Sequence, residues 1–193
     1  VLRLNLMCIQ SKGIQNEVVY VNDDPYEKSN VIQKYMKITD RILYIDFGVS
    51  MDEGSIAQVF KPHEGVGCVV FPGVIEGIDW EMFKTKVKDN STEPVEQIGL
   101  HFDTEIGNKI SEDIYQVKSS SARCWVMMCK NTSKFVRDKR TYDYRVPPRM
   151  EQMFSKFKEL GVKIHAYTAS KLTMTYTHEC ISNLLNAAGV KAN

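Results

Sequence analysis

The sequence predicts an α/β fold built as one domain, and three observations carry that prediction. Short apolar runs such as "RILYIDF" and "GVGCVVFPG" have the length and β-branched content of strands covered on both faces. Segments with apolar residues at helical spacing, above all "RMEQMFSKFKELG", alternate with those runs. No repeat, low-complexity tract or linker divides the chain, so residues 1–193 are read as a single domain, a length that allows a sizeable core.

The elements follow in order. "VLRLNLMCI" (1–9) and "NEVVYVN" (16–22) are short apolar-rich runs and are expected as strands. "NDDPYEKSN" (22–30) reads as a loop that enters a helix at "SNVIQKYMKI". "RILYIDF" (41–47) is apolar on both faces, which is the pattern of a central strand. "SMDEGSIAQVF" (50–60) is a short helix, "GVGCVVFPG" a buried strand, and "DWEMFKTKVK" a helix capped by Asp79. "EQIGLHFD" and "DIYQVKSSSARCWVMMCK" add strands. Next comes a helix with Met150, Met153, Phe154, Phe157 and Leu160 at helical spacing, stopped by Gly161. "VKIHAYTA" is a strand behind it, and "HECISNLLNAAG" a closing helix.

Composition narrows the function classes. Hydrophobic content of 43 % and charged content of 25 % are those of an ordinary folded domain. The formal charge of +1 supplies no strong overall field, so no nucleic-acid partner is expected. No apolar run approaches the length of a membrane span, and "VLRLNLMCIQ" lacks the charge and cleavage pattern of a signal peptide. Five scattered cysteines, with Cys124 and Cys129 on opposite faces of one run, fit no zinc spacing and read as buried free thiols of a reducing compartment. Two sequons, at Asn90 and Asn131, point the other way.

Asp46 ends an apolar strand, and open α/β sheets carry their functional groups at such strand ends. A plainer role is to accept backbone N–H groups of the following turn. The run "ILYIDFGVSMDEGSIAQVF", then "GVGCVVFPGVIEGIDWEMFKTKV", then "SSSARCWVMMCKNTSKFV" and "RMEQMFSKFKELGVKIHAYTASKLTMTYTHEC" is similar, in order and spacing, to the compact GT-A-fold glycosyltransferases of large DNA viruses. The resemblance spans about residues 28–185. It implies a GT-A-like, Rossmann-like mixed sheet flanked by helices. The activity it implies is sugar transfer from a nucleotide-sugar donor to a glycan acceptor.

In that family a Mn²⁺ or Mg²⁺ ion held by a DxD motif neutralises the departing diphosphate. Here the motif reads Asp46-Phe47-Gly48, so one carboxylate is present and the second is replaced. Asp52 and Glu53 are nearby as substitutes, or as the charges of a helix start. The resemblance places Asn30 and Asp46 on the nucleotide, Asp46 and His178 on the metal with Thr173 fitting the same spacing, and Glu151 as the acidic base. Two functions follow. One is a working transferase. The other is a pseudoenzyme kept as a structural or virion (capsid-associated) protein with protein partners in an assembly, its cleft filled by side chains such as Phe47 and without metal affinity. The location expected is cytoplasmic or virion. Two lesser readings make Asp46 a phosphatase nucleophile with Thr168 or Ser170 on phosphate, or an adhesion-type metal ligand with Ser50; both lack a polar group at Gly48.

Overall fold

The structure is a computed structural model that describes residues 1–175 apart from 12, 76 and 93–96. In chain order the elements are α1 (Leu2–Gln10), α2 (Pro25–Tyr35), β1 (Arg41–Ile45), β2 (Val49–Met51), α3 (Glu53–Phe60), β3 (Cys68–Val70) and α4 (Trp80–Lys88). They continue with β4 (Thr104–Ser111), β5 (Ile114–Ser120), β6 (Cys124–Met128), α5 (Cys129–Val136), α6 (Met150–Glu159), β7 (Ile164–Tyr167) and β8 (Leu172–Met174). Six strands form one sheet in the order β1-β6-β3-β7-β5-β4, in which β3 and β7 run parallel and every other neighbour pair is antiparallel. β2 and β8 make a separate antiparallel pair. The fold class is therefore α/β, a mixed sheet flanked by helices.

Strand alternation divides the core into two layers. Trp125 and Met127 of β6, Cys68 and Val70 of β3, and Ile164 and Ala166 of β7 face one side, where α2, α5 and α6 cover them with Ile32, Met36, Val136, Met153, Phe154 and Phe157. Cys124, Val126 and Met128 face the other, against Ile56 and Val59 of α3 and Leu4 and Met7 of α1. Cys124 and Cys129 do lie in opposite layers, and Cys8, Cys68, Cys124 and Cys129 are buried free thiols.

Several expectations are corrected. Residues 2–10 form a helix rather than a strand, because Leu4, Met7 and Cys8 at helical spacing make one apolar face, Leu4 and Met7 packing on the core layer of Ile56, Val59 and Val126 and Cys8 being buried. Residues 16–22 form no regular secondary structure and join no ladder among the described residues; β-propensity without a partner strand makes no sheet. β1 lies at the sheet edge, and the central position between β1 and β3 belongs to β6, all five residues of which are buried. α2 starts four residues earlier than expected, because Asp24 accepts from the Tyr26 N–H and Pro25 fits the first turn. The start of the expected helix 50–60 is instead the end of a strand, Val49–Met51, and the helix begins after Asp52, which caps it. Residues 97–103 form turns and a single bridge, Val74 to Phe102, instead of a strand.

β4, β8 and α5 went unread in the sequence, whereas α4 with its Asp79 cap and α6 followed by Gly161 at φ +92° are as expected. On α6 the apolar face is Met153, Phe154 and Phe157, while Leu160 is 39 % exposed. The closing helix from His178 lies outside the described residues, as does Cys180. No helix among the described residues is long and apolar enough to cross a membrane.

Candidate functional site

The candidate site is built around Asp46, one residue past the end of β1. Its backbone N–H donates to the Arg123 carbonyl at 2.9 Å, which continues the β1–β6 ladder to the start of β6. Alternation along the strand puts Tyr44 and Asp46 on the same side, the side covered by α2. Three groups therefore converge on one carboxylate. The Tyr44 hydroxyl donates to Oδ1 at 3.1 Å, Lys28 Nζ of α2 lies 3.7 Å from Oδ1, and Arg123 Nε donates to Oδ2 at 3.2 Å. Arg123 Nη2 also donates to the Phe47 carbonyl at 2.6 Å, so one guanidinium clamps the whole turn.

Lys28 is shared with Asp23 at 2.6 Å, giving a chain of alternating charges Asp23, Lys28, Asp46, Arg123. Burial pulls the Lys28 ammonium down, but Asp23, Tyr44 and Asp46 together outweigh it and hold it at about 12. Burial and the neighbouring Asp46 charge push the Tyr44 phenol up to about 12. Both groups are locked in their ordinary neutral-pH forms.

The turn after Asp46 explains the second half of the motif. Gly48 has φ +73°, a left-handed conformation, and a Cβ there would collide with the Thr175 carbonyl oxygen. The Thr175 N–H donates to the Gly48 carbonyl at 2.7 Å, and Ser50 pairs with Thr173 between β2 and β8. A carboxylate-bearing side chain has no room at this position. Phe47, expected as a cleft filler, is 73 % exposed instead.

Beside the clamp lies Asp103, only 8 % exposed. Its carboxylate accepts from the Gly73 N–H at 3.1 Å, the Thr104 hydroxyl at 2.9 Å and the Arg123 N–H at 3.4 Å. Burial raises its titration above the ordinary carboxylate range against the pull of those donors. An acid raised in the folded state stabilises fully below its unfolded value, and that contribution is lost as pH rises through the folded value. Urea titrations should show Asp103→Asn gaining on the wild type as pH rises above the ordinary Asp value of about 3.9 and through the raised folded value. Parallel pH profiles of the two proteins would rule out this buried ionisation.

The other residues singled out in the sequence are scattered. Asn30 is exposed on α2, two positions and thus roughly 200° around the helix from Lys28. It lines an open hollow of ≈ 420 Å³ with Asp24, Tyr26, Glu27, Val31 and Lys34, apart from Asp46. Glu151 is exposed in the first turn of α6, with no hydrogen bond or ion pair to the Asp46 group. Asp52 is the cap of α3, accepting from the Gly54 and Ser55 N–H groups at 3.1 Å each. Thr168 gives its hydroxyl to the Asp113 carbonyl at 3.3 Å. His178 lies outside the described residues.

No family model, curated protein or solved structure matches this chain. The chemistry of the site rests on its own geometry. A divalent cation at Asp46 would have to displace Arg123 from Oδ2 and sit beside Lys28, so the donor set around this carboxylate does not fit the Mn²⁺ or Mg²⁺ ion implied by the resemblance. Sequence reasoning missed Arg123, Lys28 and Asp103. Tyr44 alone carried a local signal, because residues two apart on a strand share a face.

Proposed function

We propose that this chain is a GT-A-like, glycosyltransferase-like module without catalysis, kept as a structural or interaction protein with protein partners in an assembly. One observation carries the reading. The carboxylate in the position of the first DxD aspartate is consumed by an internal ion-pair node with Arg123 and Lys28. A catalytic metal ligand must leave its lone pairs open to the ion, whereas a node of this kind fastens β1, β6 and α2 to each other. The left-handed Gly48 supports the same reading, since the turn excludes the second carboxylate. A cytoplasmic or virion setting belongs to this proposal and follows from the resemblance alone.

Isothermal titration with UDP- and GDP-sugars, with and without Mn²⁺, is the deciding experiment. No metal-dependent heat is expected. In parallel, Asp46→Ala should lose about 2 kcal/mol of folding stability, because Arg123 and Lys28 are left partly buried without their shared partner. Micromolar, Mn²⁺-dependent nucleotide-sugar binding that disappears in Asp46→Ala would restore the working transferase, with Asn30 on the nucleotide and Glu151 as its base.

A further inference from the structure

We propose that the surface formed by α5 and the loop that follows it binds single-stranded nucleic acid. The net charge of +1 conceals a segregated distribution. Residues 129–149 hold seven basic and two acidic residues, a net +5, while the remaining 18 basic and 22 acidic residues leave the rest of the chain at −4. A field of that kind attracts a polyanion locally even though the whole protein is near neutral.

The fold turns this run into one outward surface. α5 buries Cys129, Thr132 and Val136 against the sheet, which leaves Lys130, Lys134 and Arg137, at i, i+4 and i+7, as an exposed stripe. The loop then closes by a bridge between Arg137 and Tyr144, and Asp138 caps it by accepting from the Arg140 and Thr141 N–H groups at 2.8 and 3.1 Å. Lys139, Arg140, Arg145 and Arg149 are also exposed.

Both acids of the segment are already neutralised, Asp138 by Arg145 at 3.6 Å and Asp143 by Lys37 at 2.8 Å. Lys130 is paired with Asp40 at 2.9 Å. Lys134, Lys139, Arg140 and Arg149 have no ion pair among the described residues, while Arg137 also feels the Asp143 charge.

An aromatic platform selects among polyanions. Tyr142 is 65 % exposed and is held at φ +59°, a conformation that L side chains rarely adopt. The Arg137 guanidinium lies 4.9 Å from its ring centroid and its Nε donates to the Tyr142 carbonyl. An outward-facing ring held by a strained backbone in a basic segment is what a base needs to stack while its phosphates meet lysine and arginine. On the same α5 surface, a hollow of ≈ 420 Å³ is lined by Lys37, Asp40, Lys130, Ser133 and Tyr144 among others.

Fluorescence anisotropy of the full chain with labelled single-stranded RNA and DNA of about 12 nucleotides tests the proposal. Binding is expected to weaken with salt, with a slope of log K against log salt of about −3 for four phosphate contacts. Lys139→Ala with Arg140→Ala should weaken binding about 20-fold at roughly 0.1 M salt. Tyr142→Gly removes the ring, suits the left-handed backbone, and should cost about fivefold or more. Thermal melts confirm folding of both variants, whose side chains hold no buried contact. Absence of binding to either strand, or binding that neither variant changes, would overturn the proposal. Equal affinity for heparin or anionic vesicles, indifferent to Tyr142→Gly, would overturn it too, in favour of a generic anion surface.

Discussion

Gly48→Asp, the substitution that completes the Asp-x-Asp spacing, is expected to destabilise the fold by about 3 kcal/mol and to confer no Mn²⁺ affinity. Two costs add. A non-glycine residue at φ +73° is strained by about 1–2 kcal/mol, and its Cβ meets the backbone oxygen of Thr175, which cannot swing aside like a side chain. Relief requires separating β2 from β8, whose pairing begins beside the bond from the Thr175 N–H to the Gly48 carbonyl. Urea unfolding measures the first effect and titration with Mn²⁺ the second. An unchanged unfolding midpoint together with micromolar Mn²⁺ binding would mean that the turn opens freely and that Asp46 leaves its clamp.

Trp125→Ala should remove about 4 kcal/mol, a large share of the stability of a domain this size, whereas Trp125→Phe should cost far less. Trp125 is fully buried, stacked on Tyr44 at 5.2 Å between centroids and edge-on to Phe154 at 6.0 Å, so it joins β1, β6 and α6. Alanine leaves a cavity with both rings facing it. Phenylalanine keeps most of the packing and also deletes the indole Nε1, a buried donor with no hydrogen-bond partner among the described residues, whose removal offsets part of the lost volume. Chemical unfolding followed by near-UV circular dichroism compares the two variants. Equal losses would show that the indole, rather than an aromatic ring as such, is what this layer requires.

β1 shows what periodicity can and cannot report. Ile42 and Tyr44 pack on one layer and Leu43 on the other, so an apolar run on both faces correctly signalled a covered strand. It was silent about the ladder, and among the described residues β1 has only β6 beside it. Face burial is written in side chains; the neighbour on each edge is chosen by backbone groups that every residue carries. The same distinction explains residues 16–22, whose valines and tyrosine favour a strand although no described strand pairs with them. It also explains α1, where a leucine pattern compatible with two periods took the helical one because Leu4 and Met7 then pack together on the second core layer.

The candidate site was legible to a smaller degree. Asp46 stood out as a carboxylate at a strand end, and it is the residue on which the local network converges. Its meaning was reversed by Arg123, 77 positions away, and by Lys28 on a separate helix. The basic surface was hidden for a different reason: a net charge is a sum, and it cancels a +5 segment against a −4 remainder.

By itself the sequence determined the α/β class, the caps Asp79 and Gly161, the apolar face of α6 and the two-sided burial of β3, with β1 only partly covered on each face, because each is a local pattern in propensity or spacing. Tertiary structure decided the strand order, the edge position of β1, the clamp on Asp46 and the exclusion of a side chain at Gly48. Those depend on which distant segments come to lie against each other, and a carboxylate's role is set by the charges that reach it.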